Sequence, residues 1–349
     1  MIKINNIPID KNVRPKVIAE LSGNHNGNLG RAYKLLNEAK KNGADFVKLQ
    51  TFDPNKITIN SKRREFLVKS KNKNWNKKTL HELYSISHTP WDWHDKIFKK
   101  AKQIGVTCFS SVFDENMIEK LEKINTPAYK ISSFETNHFP LIDKVIRTRK
   151  PIIVSVGMCN LKEIKNLVKL FNQKNHKKFI LLKCTSSYPA PTDELNLLTL
   201  SDLRNKFNCE VGFSDHSLGI GAALTSVSFG ASVIEKHFTL DKNDGGVDSS
   251  FSMDPTDLKI LSKELKNSWK SIGRVNYGPT KSEKKSIKSK RSIYSHKFIN
   301  KNQKITKEDL IIIRPANGLD PKLYNKLIGS KAKIDIKKGI PLKIDMFKI

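Results

Sequence analysis

Two histidines stand where short apolar runs give way to polar loops. His237 follows Glu235 by two residues in IEKHFTLDKNDGGVDSSFSMDP (234–255), and His216 follows Ser214 and Asp215 in GFSDHSLGIG. Residues two apart in a strand face the same way, so Glu235 and His237 share a face. A lone strand histidine is more often a core residue with a satisfied hydrogen bond. Two at neighbouring strand ends, each beside an acidic residue, reverse that balance. They can converge on one divalent ion. Imidazole and oxygen ligands with open positions suit Mn²⁺, Mg²⁺, Co²⁺ or Zn²⁺. Such an ion would act as a Lewis acid on a carbonyl and could position water.

The other strand ends are polar too. They present Glu20 and Ser22, Lys48 and Gln50, Ser110 and Ser111, then Lys130, Ser132, Ser133 and Glu135. Later come Ser155, then Lys183, Thr185, Ser186 and Tyr188, then Ser214. Lys48 and Lys130 stand inside apolar strands, where an unpaired ammonium is costly to bury. An anion in the site would account for both; alternatively, Glu20 and Glu135 simply pair with them. The serines add donors suited to phosphate oxygens. The constellation suggests a phosphorylated or carboxylated substrate. Glu20 and Glu135 read as acid/base or sugar-hydroxyl groups. NDGGVDSSF does not fit a phosphate-binding fingerprint, because no helix follows at the right spacing. It reads as a substrate loop, with Asp248 available to sugar hydroxyls. SGNHNGNLG (22–30), with Asn24 and His25, reads equally as an anion loop or a plain turn. Trp91 and Trp93 open a helix and read as packing residues.

These side chains need a frame. Strand-like runs fall at 16–22, 45–51, 106–112, 128–134, 151–157, 178–186, 209–216 and 232–240. Between and after them lie helical patterns with apolar residues recurring at three and four. Gly43, Gly105 and Gly230 follow helices as C-terminal caps do. Eight strands alternating with eight helices predict an α/β fold of the (β/α)₈ TIM-barrel type. A doubly wound sheet is the alternative, and the absence of a Gly-rich dinucleotide loop argues against it. In a barrel, the strand ends form the active site. The segment 52–90 is too long for an ordinary connection and reads as a lid on that face. The barrel domain is expected over 1–273, a linker over 274–291 and a small module over 292–349.

The 349 residues carry 64 Lys and Arg against 34 Asp and Glu, a formal net charge of +30. That would suggest nucleic acid, but the lysines are spread over many helix faces. There is no zinc-finger spacing and no RNA-binding aromatic signature. The cluster KSEKKSIKSKRS (281–292) falls on the linker and reads as a solvated connection, so no nucleic-acid partner is expected. No apolar run reaches the roughly 18–20 residues that span a bilayer. The start, MIKINNIPIDKNVRPK, lacks the apolar core of a signal peptide. A cytoplasmic protein with no membrane segment is expected. The four cysteines form no CxxC pair and read as reduced thiols.

The motifs AELSGNHNGNL, FVKLQTF, AYKISSFE, IVSVGM, LLKCTSSYPAP, GFSDHSLGIG, VIEKHFTLD and IRPANGL together resemble the sialic acid synthase (NeuB-like) family. These are barrel enzymes with a C-terminal antifreeze-like (SAF, β-clip) domain, and the likeness covers essentially the whole chain. LYSISHTPWDWH, SFE, LKCTSSYP and GGVDSSFSMDP are most similar to the pseudaminic acid synthase branch. N-acetylneuraminate and legionaminate synthases are the alternative branches.

The resemblance implies condensation of phosphoenolpyruvate with the open-chain aldehyde of an acetamido sugar. For this branch the sugar is 2,4-diacetamido-2,4,6-trideoxy-L-altrose. Water adds at carbon 2 and phosphate leaves by C–O cleavage. Lys48, Ser111, Lys130, Ser133, Ser155, Ser186 and Ser214 match the positions that hold phosphoenolpyruvate. His216 and His237 match the ligands of a divalent metal, Mn²⁺ foremost, with Mg²⁺ or Co²⁺ as alternatives. Glu20 and Glu135 match the acidic groups near the reacting carbons, and Gln50, Tyr188 and Asp248 the sugar side. Arg314 matches the residue that reaches the sugar in the partner's barrel, which implies a homodimer with swapped SAF domains. Ser111 stands where Thr is common and Ser186 where the neuraminate branch has Asn; each position keeps a donor.

Overall fold

The computed structural model describes residues 1–70 and 75–348. The chain divides into two compact units, Met1–Gly273 and Arg274–Ile349.

The first unit opens with a hairpin, β1 (Ile2–Ile4) and β2 (Ile7–Ile9). Eight parallel strands follow: β3 (Lys16–Glu20), β4 (Phe46–Thr51), β5 (Thr107–Val112), β6 (Tyr129–Ile131), β7 (Ile152–Ser155), β8 (Phe179–Cys184), β9 (Glu210–Asp215) and β10 (Val233–His237). They pair in chain order, and β10 closes onto β3 in the register His237 opposite Glu20. This is the expected (β/α)₈ barrel. Each strand run is shorter than its apolar pattern by one to four residues. The sharpest cut is at 128–134, where the strand stops at Ile131 and Ser133–Glu135 form a 3₁₀ turn.

Helices fall where the periodicity puts them, from Leu29–Lys41 to Pro255–Ile272. Several of their starts are capped by side chains. Asn160 with Glu163 and Asp254 with Asp257 form reciprocal capping boxes. Gly43, Gly105 and Gly230 have φ of 97°, 72° and 90°, the left-handed geometry that ends a helix.

Alternation along each strand divides the apolar residues into two cores. Outward residues such as Val47, Val154 and Phe213 pack under the helices. Inward residues Ile18, Phe46, Phe109, Ile153, Ile180 and Val233 fill the barrel, and Ile2, Ile4 and Ile9 of the hairpin join them. The N-terminal hairpin therefore plugs the barrel floor, and polar inward residues begin one layer above. The long segment after β4 contains two short helices, Pro54–Ile57 and Leu80–Ser87. Part of that predicted lid, 71–74, lies outside the described residues. Trp91 stacks on His94, and Trp93 meets His25 edge-on, which are packing roles. Among the described residues, no helix is long and apolar enough to cross a membrane.

In the second unit, β11 (Ser292–Ser295) pairs with β12 (Leu310–Ile313), and β13 (Lys331–Ala332) with β14 (Phe347–Lys348). Ile293, Ile299, Ile305, Leu310, Leu342 and Phe347 belong to its own small core. The stretch 274–291, expected as a linker, carries an exposed 3₁₀ helix, Glu283–Ser289.

Candidate active site

Period-two alternation points one residue in two of each strand into the barrel, so the polar strand ends converge. Glu20, Lys48, Gln50, Ser111, Lys130, Ser133, Ser155, Tyr188, Ser214, His216 and His237 all line one cavity at the barrel mouth.

The two lysines are not unpaired, as the sequence suggested. Lys48 Nζ forms an ion pair with Glu20 Oε2, lies 3.6 Å from Glu235 Oε1 and donates to Ser111 Oγ at 2.8 Å. Lys130 Nζ donates to Glu235 Oε1 at 3.0 Å, not to Glu135. Ser214 Oγ donates to the same Glu235 oxygen at 3.3 Å. Burial alone would raise the Glu235 carboxyl; Lys130 and Lys48 outweigh it and hold it at about 2. Burial pulls the Lys130 ammonium down, against Glu235. On Lys48 burial is outweighed by Glu20 and Glu235, and its value is raised. Two buried cations and two buried anions thus balance, and an anionic ligand is not needed to neutralise the lysines.

The polar atoms still leave hydrogen-bonding capacity unused. Ser155 Oγ and Glu235 Oε2 are buried with no hydrogen-bond partner among the described residues. Ser133 Oγ accepts from Gly157 N at 3.0 Å. A Cβ on Gly157 would come within 2.6 Å of Ser186 Oγ and 2.8 Å of Ser133 Oγ. The missing side chain leaves these two hydroxyls facing one hollow.

The His216 and His237 rings lie 5.4 Å apart, centroid to centroid. His216 Nδ1 donates to Thr185 O at 3.0 Å. That fixes the tautomer and leaves Nε2 with its lone pair. His237 Nδ1 is buried with no hydrogen-bond partner among the described residues and sits 3.5 Å from Asp248 Oδ2. A free imidazole nitrogen on each ring, with the Asp248 carboxylate beside His237, fits a divalent cation. Among the described residues, no group of three or more His, Cys, Asp or Glu is placed to hold a metal, so a bound ion would keep open positions.

Four predicted residues stand apart from the cavity lining: Ser186, which borders the hollow at Gly157, and three others. Glu135 sits on the cavity rim, accepts from Ser132 Oγ and shares a neighbouring hollow with Phe113 and Phe134. Burial raises its carboxyl to about 7, with Lys130 pulling the other way. Asp248 accepts from Ser22 Oγ and belongs beside His237 rather than on an open sugar face. Arg314 is exposed in the second unit. Asn24 and His25 do not serve as anion ligands. Asn24 Nδ2 donates to Phe238 O and Ser252 Oγ, both at 2.9 Å, and His25 is buried beside Thr89 and Trp93. The 22–30 stretch is a structural turn.

The NeuB family pattern matches residues 35–277, and the SAF domain pattern residues 290–348. The chain belongs to the NeuB family. It is 39% identical to a pseudaminic acid synthase of Campylobacter jejuni subsp. jejuni serotype O:23/36, over 99% of this chain and all of that one. An N,N'-diacetyllegionaminic acid synthase of Campylobacter jejuni subsp. jejuni serotype O:2 is 35% identical over 90% of this chain and 95% of that one. A solved structure of an N-acetylneuraminic acid (sialic acid) synthetase from Leptospira borgpetersenii serovar Hardjo-bovis, in complex with citrate, superposes with a TM-score of 0.72. It is 29% identical, over 82% of this chain and 94% of that one.

Within this NeuB-family mouth, sequence reasoning left three groups without a role in the site. Glu235 was noted only for its face, though its spacing from His237 already pointed it inward. The sequence marks Cys184 only as a reduced thiol. Its Sγ lies 3.7 Å from His216 Nδ1. Burial alone would raise it; contact with His216, and then Ser133 and Lys130, brings it to about 7. Phe251 and Trp75 complete an aromatic wall. Phe251 is 5.1 Å from His237, and Trp75 is 5.5 Å from Tyr188, which is itself 4.3 Å from His216. No spacing rule links Trp75 to these rings, because the contact joins distant loops.

Proposed function

We propose that this chain condenses phosphoenolpyruvate with 2,4-diacetamido-2,4,6-trideoxy-L-altrose and water, giving pseudaminic acid and phosphate. Carbon 3 of the enol bonds to the aldehyde carbon, whose oxygen becomes a hydroxyl. Water adds at carbon 2, loses a proton, and the C–O bond to phosphate breaks. The observation that carries the chemistry is that the pair of buried ammonium groups, the Ser155 hydroxyl and the two imidazoles line one cavity. The full-length likeness to the pseudaminic acid synthase supports this sugar over the legionaminic one.

Each group has a task that its surroundings suit. Lys48 and Lys130 hold the carboxylate and phosphate of the substrate, and Ser111, Ser133, Ser155, Ser186 and Ser214 donate to their oxygens. Glu20 and Glu235 keep the two lysines charged and in place. Glu135, at about 7, is able to give or take a proton at neutral pH. Gln50 and Tyr188 face the sugar, and Asp248 stands behind them beside His237. Trp75 and Phe251 back Tyr188 and keep bulk water off the reacting carbons. His216 and His237 would hold a divalent cation, with Mn²⁺ preferred, which supplies Lewis-acid polarisation to the aldehyde oxygen. In a homodimer with exchanged SAF domains, Arg314 of one protomer would meet the sugar in its partner.

The test is phosphate release from phosphoenolpyruvate with Mn²⁺, offering the altrose sugar, the legionaminic precursor and N-acetylmannosamine in parallel. Release with the altrose sugar alone is expected. Release with another sugar alone would move the chain to that branch. No release with any would overturn the condensation.

A further inference from the structure

Outward-facing residues of β9 and β10 are apolar at the level of Phe213 and Ile234, both fully buried. The next outward position on each strand breaks that rule. Asp215 and Lys236 are register partners, and both side chains are buried, at 0% and 2% exposure. Lys236 Nζ donates to Asp215 Oδ2 at 2.9 Å and to Ser217 O. Asp215 Oδ1 accepts from Ser217 N at 2.8 Å and from Ser217 Oγ at 2.6 Å. Both Lys236 links join a neighbour of one mouth histidine to a neighbour of the other: Asp215 and Ser217 flank His216, and Lys236 precedes His237.

A well-packed apolar pair would be no harder to bury than an ion pair and often easier. Hydrogen bonds, unlike apolar contacts, fix direction as well as distance. Ser217, the residue after His216, lies just beyond the end of β9, where the backbone is otherwise free to turn. Here it is held from both sides, its N–H by Asp215 and its C=O by Lys236.

We infer that Asp215 and Lys236 are positioning residues that set the spacing and aim of His216 and His237 for a divalent cation. The inference rests on the reading of those two histidines as metal ligands. It assigns the pair no contact with substrate.

The experiment is Mn²⁺ binding to the full chain without substrates, followed by the electron paramagnetic resonance of free Mn²⁺. Phosphoenolpyruvate binding by equilibrium dialysis without metal runs beside it. Lys236→Met and the isosteric Asp215→Asn are both expected to weaken Mn²⁺ roughly 10- to 100-fold, as loss of a ligand's supporting partner does. Phosphoenolpyruvate affinity should hold, because Lys48, Lys130 and Ser155 lie on other strands and Ser214, though on β9, faces the cavity on the side away from Asp215. Lys236→Arg, which keeps a cation facing Asp215, should retain more Mn²⁺ affinity than Lys236→Met. Parental Mn²⁺ affinity in Asp215→Asn would overturn the inference. So would an equal loss of metal and phosphoenolpyruvate binding, since that marks general disruption. If the parent itself binds no Mn²⁺, the metal reading fails and the inference with it. If no sugar supports phosphate release while the variants weaken Mn²⁺ as stated, the proposed reaction fails and the positioning role stands.

Discussion

Glu235 Oε1 lies 3.0 Å from Lys130 Nζ and 3.6 Å from Lys48 Nζ, one carboxylate serving two ammonium groups above the barrel floor. Removing it leaves Lys130 buried without the carboxylate it donates to. Breaking such a pair costs about 3–5 kcal/mol, because the remaining charge is uncompensated. Glu235→Gln should therefore lose stability on that scale in denaturant unfolding of the ligand-free protein. The folded carboxyl is held at about 2, below its ordinary value of 4.5. Its contribution is thus present above pH 4.5 and fades as pH falls toward 2. The loss of stability on acidification from pH 4.5 should be shallower in Glu235→Gln. An unchanged acid slope would mean that the pair is not charged as described.

Ser155 separates ligand binding from folding. Its buried hydroxyl has no hydrogen-bond partner among the described residues, so Ser155→Ala removes an unsatisfied group and should leave stability unchanged or slightly higher. A hydrogen bond to a charged ligand contributes about 1.5–3 kcal/mol, so KM for phosphoenolpyruvate should rise roughly 10- to 150-fold. Steady-state kinetics and a denaturant midpoint on the same sample check both halves. Lower stability with an unmoved KM would assign Ser155 to packing.

Glu135 should make the ligand-free protein weaker at alkaline pH. Burial raises its carboxyl from 4.5 to about 7, so the folded state binds that proton more tightly than the unfolded chain. The stability linked to it is fully present below pH 4.5 and lost as pH rises through about 7. The loss is at most about 3 kcal/mol. Glu135→Gln cannot ionise. Its stability relative to the parent should match near pH 4.5 and exceed it at pH 8, by urea unfolding. A difference independent of pH would place Glu135 in solvent.

The barrel was legible because period two and period 3.6 alternate along the sequence, and the strand-end polarity pointed to the mouth. The partners were less so. Lys130 and Glu235 are 105 residues apart, and which carboxylate a buried lysine meets depends on barrel closure, not on local pattern. Glu135 was the nearer choice, but the chain turns into a 3₁₀ element after Ile131 and carries it to the rim. The N-terminal hairpin was missed despite a readable signal. Ile2, Ile4, Ile7 and Ile9 flank Asn5 and Asn6, whose φ values of 45° and 65° suit the tight turn that paired asparagines favour.

Trp75 is expected to act on the sugar and not on phosphoenolpyruvate. Its indole Nε1 donates to Val247 O at 2.7 Å, tying the long segment after β4 to the loop after β10. Its ring lies 5.5 Å from Tyr188 and 6.3 Å from Phe251. These two are the aromatic neighbours of His216 and His237, so the tie bears on the wall of the mouth and not on the lysines below. Trp75→Ala removes both tie and packing. It should raise KM for the sugar roughly tenfold, about 1.4 kcal/mol, with KM for phosphoenolpyruvate little changed. Trp75→Phe keeps most of the packing and loses a hydrogen bond of about 1 kcal/mol, so its effect should fall between parent and Ala. Trp75 is only half-buried, and neither change should shift the thermal midpoint as far as Glu235→Gln does. Equal rises in both KM values would show that the segment holds the whole mouth together, and the assignment of Trp75 to the sugar would fall.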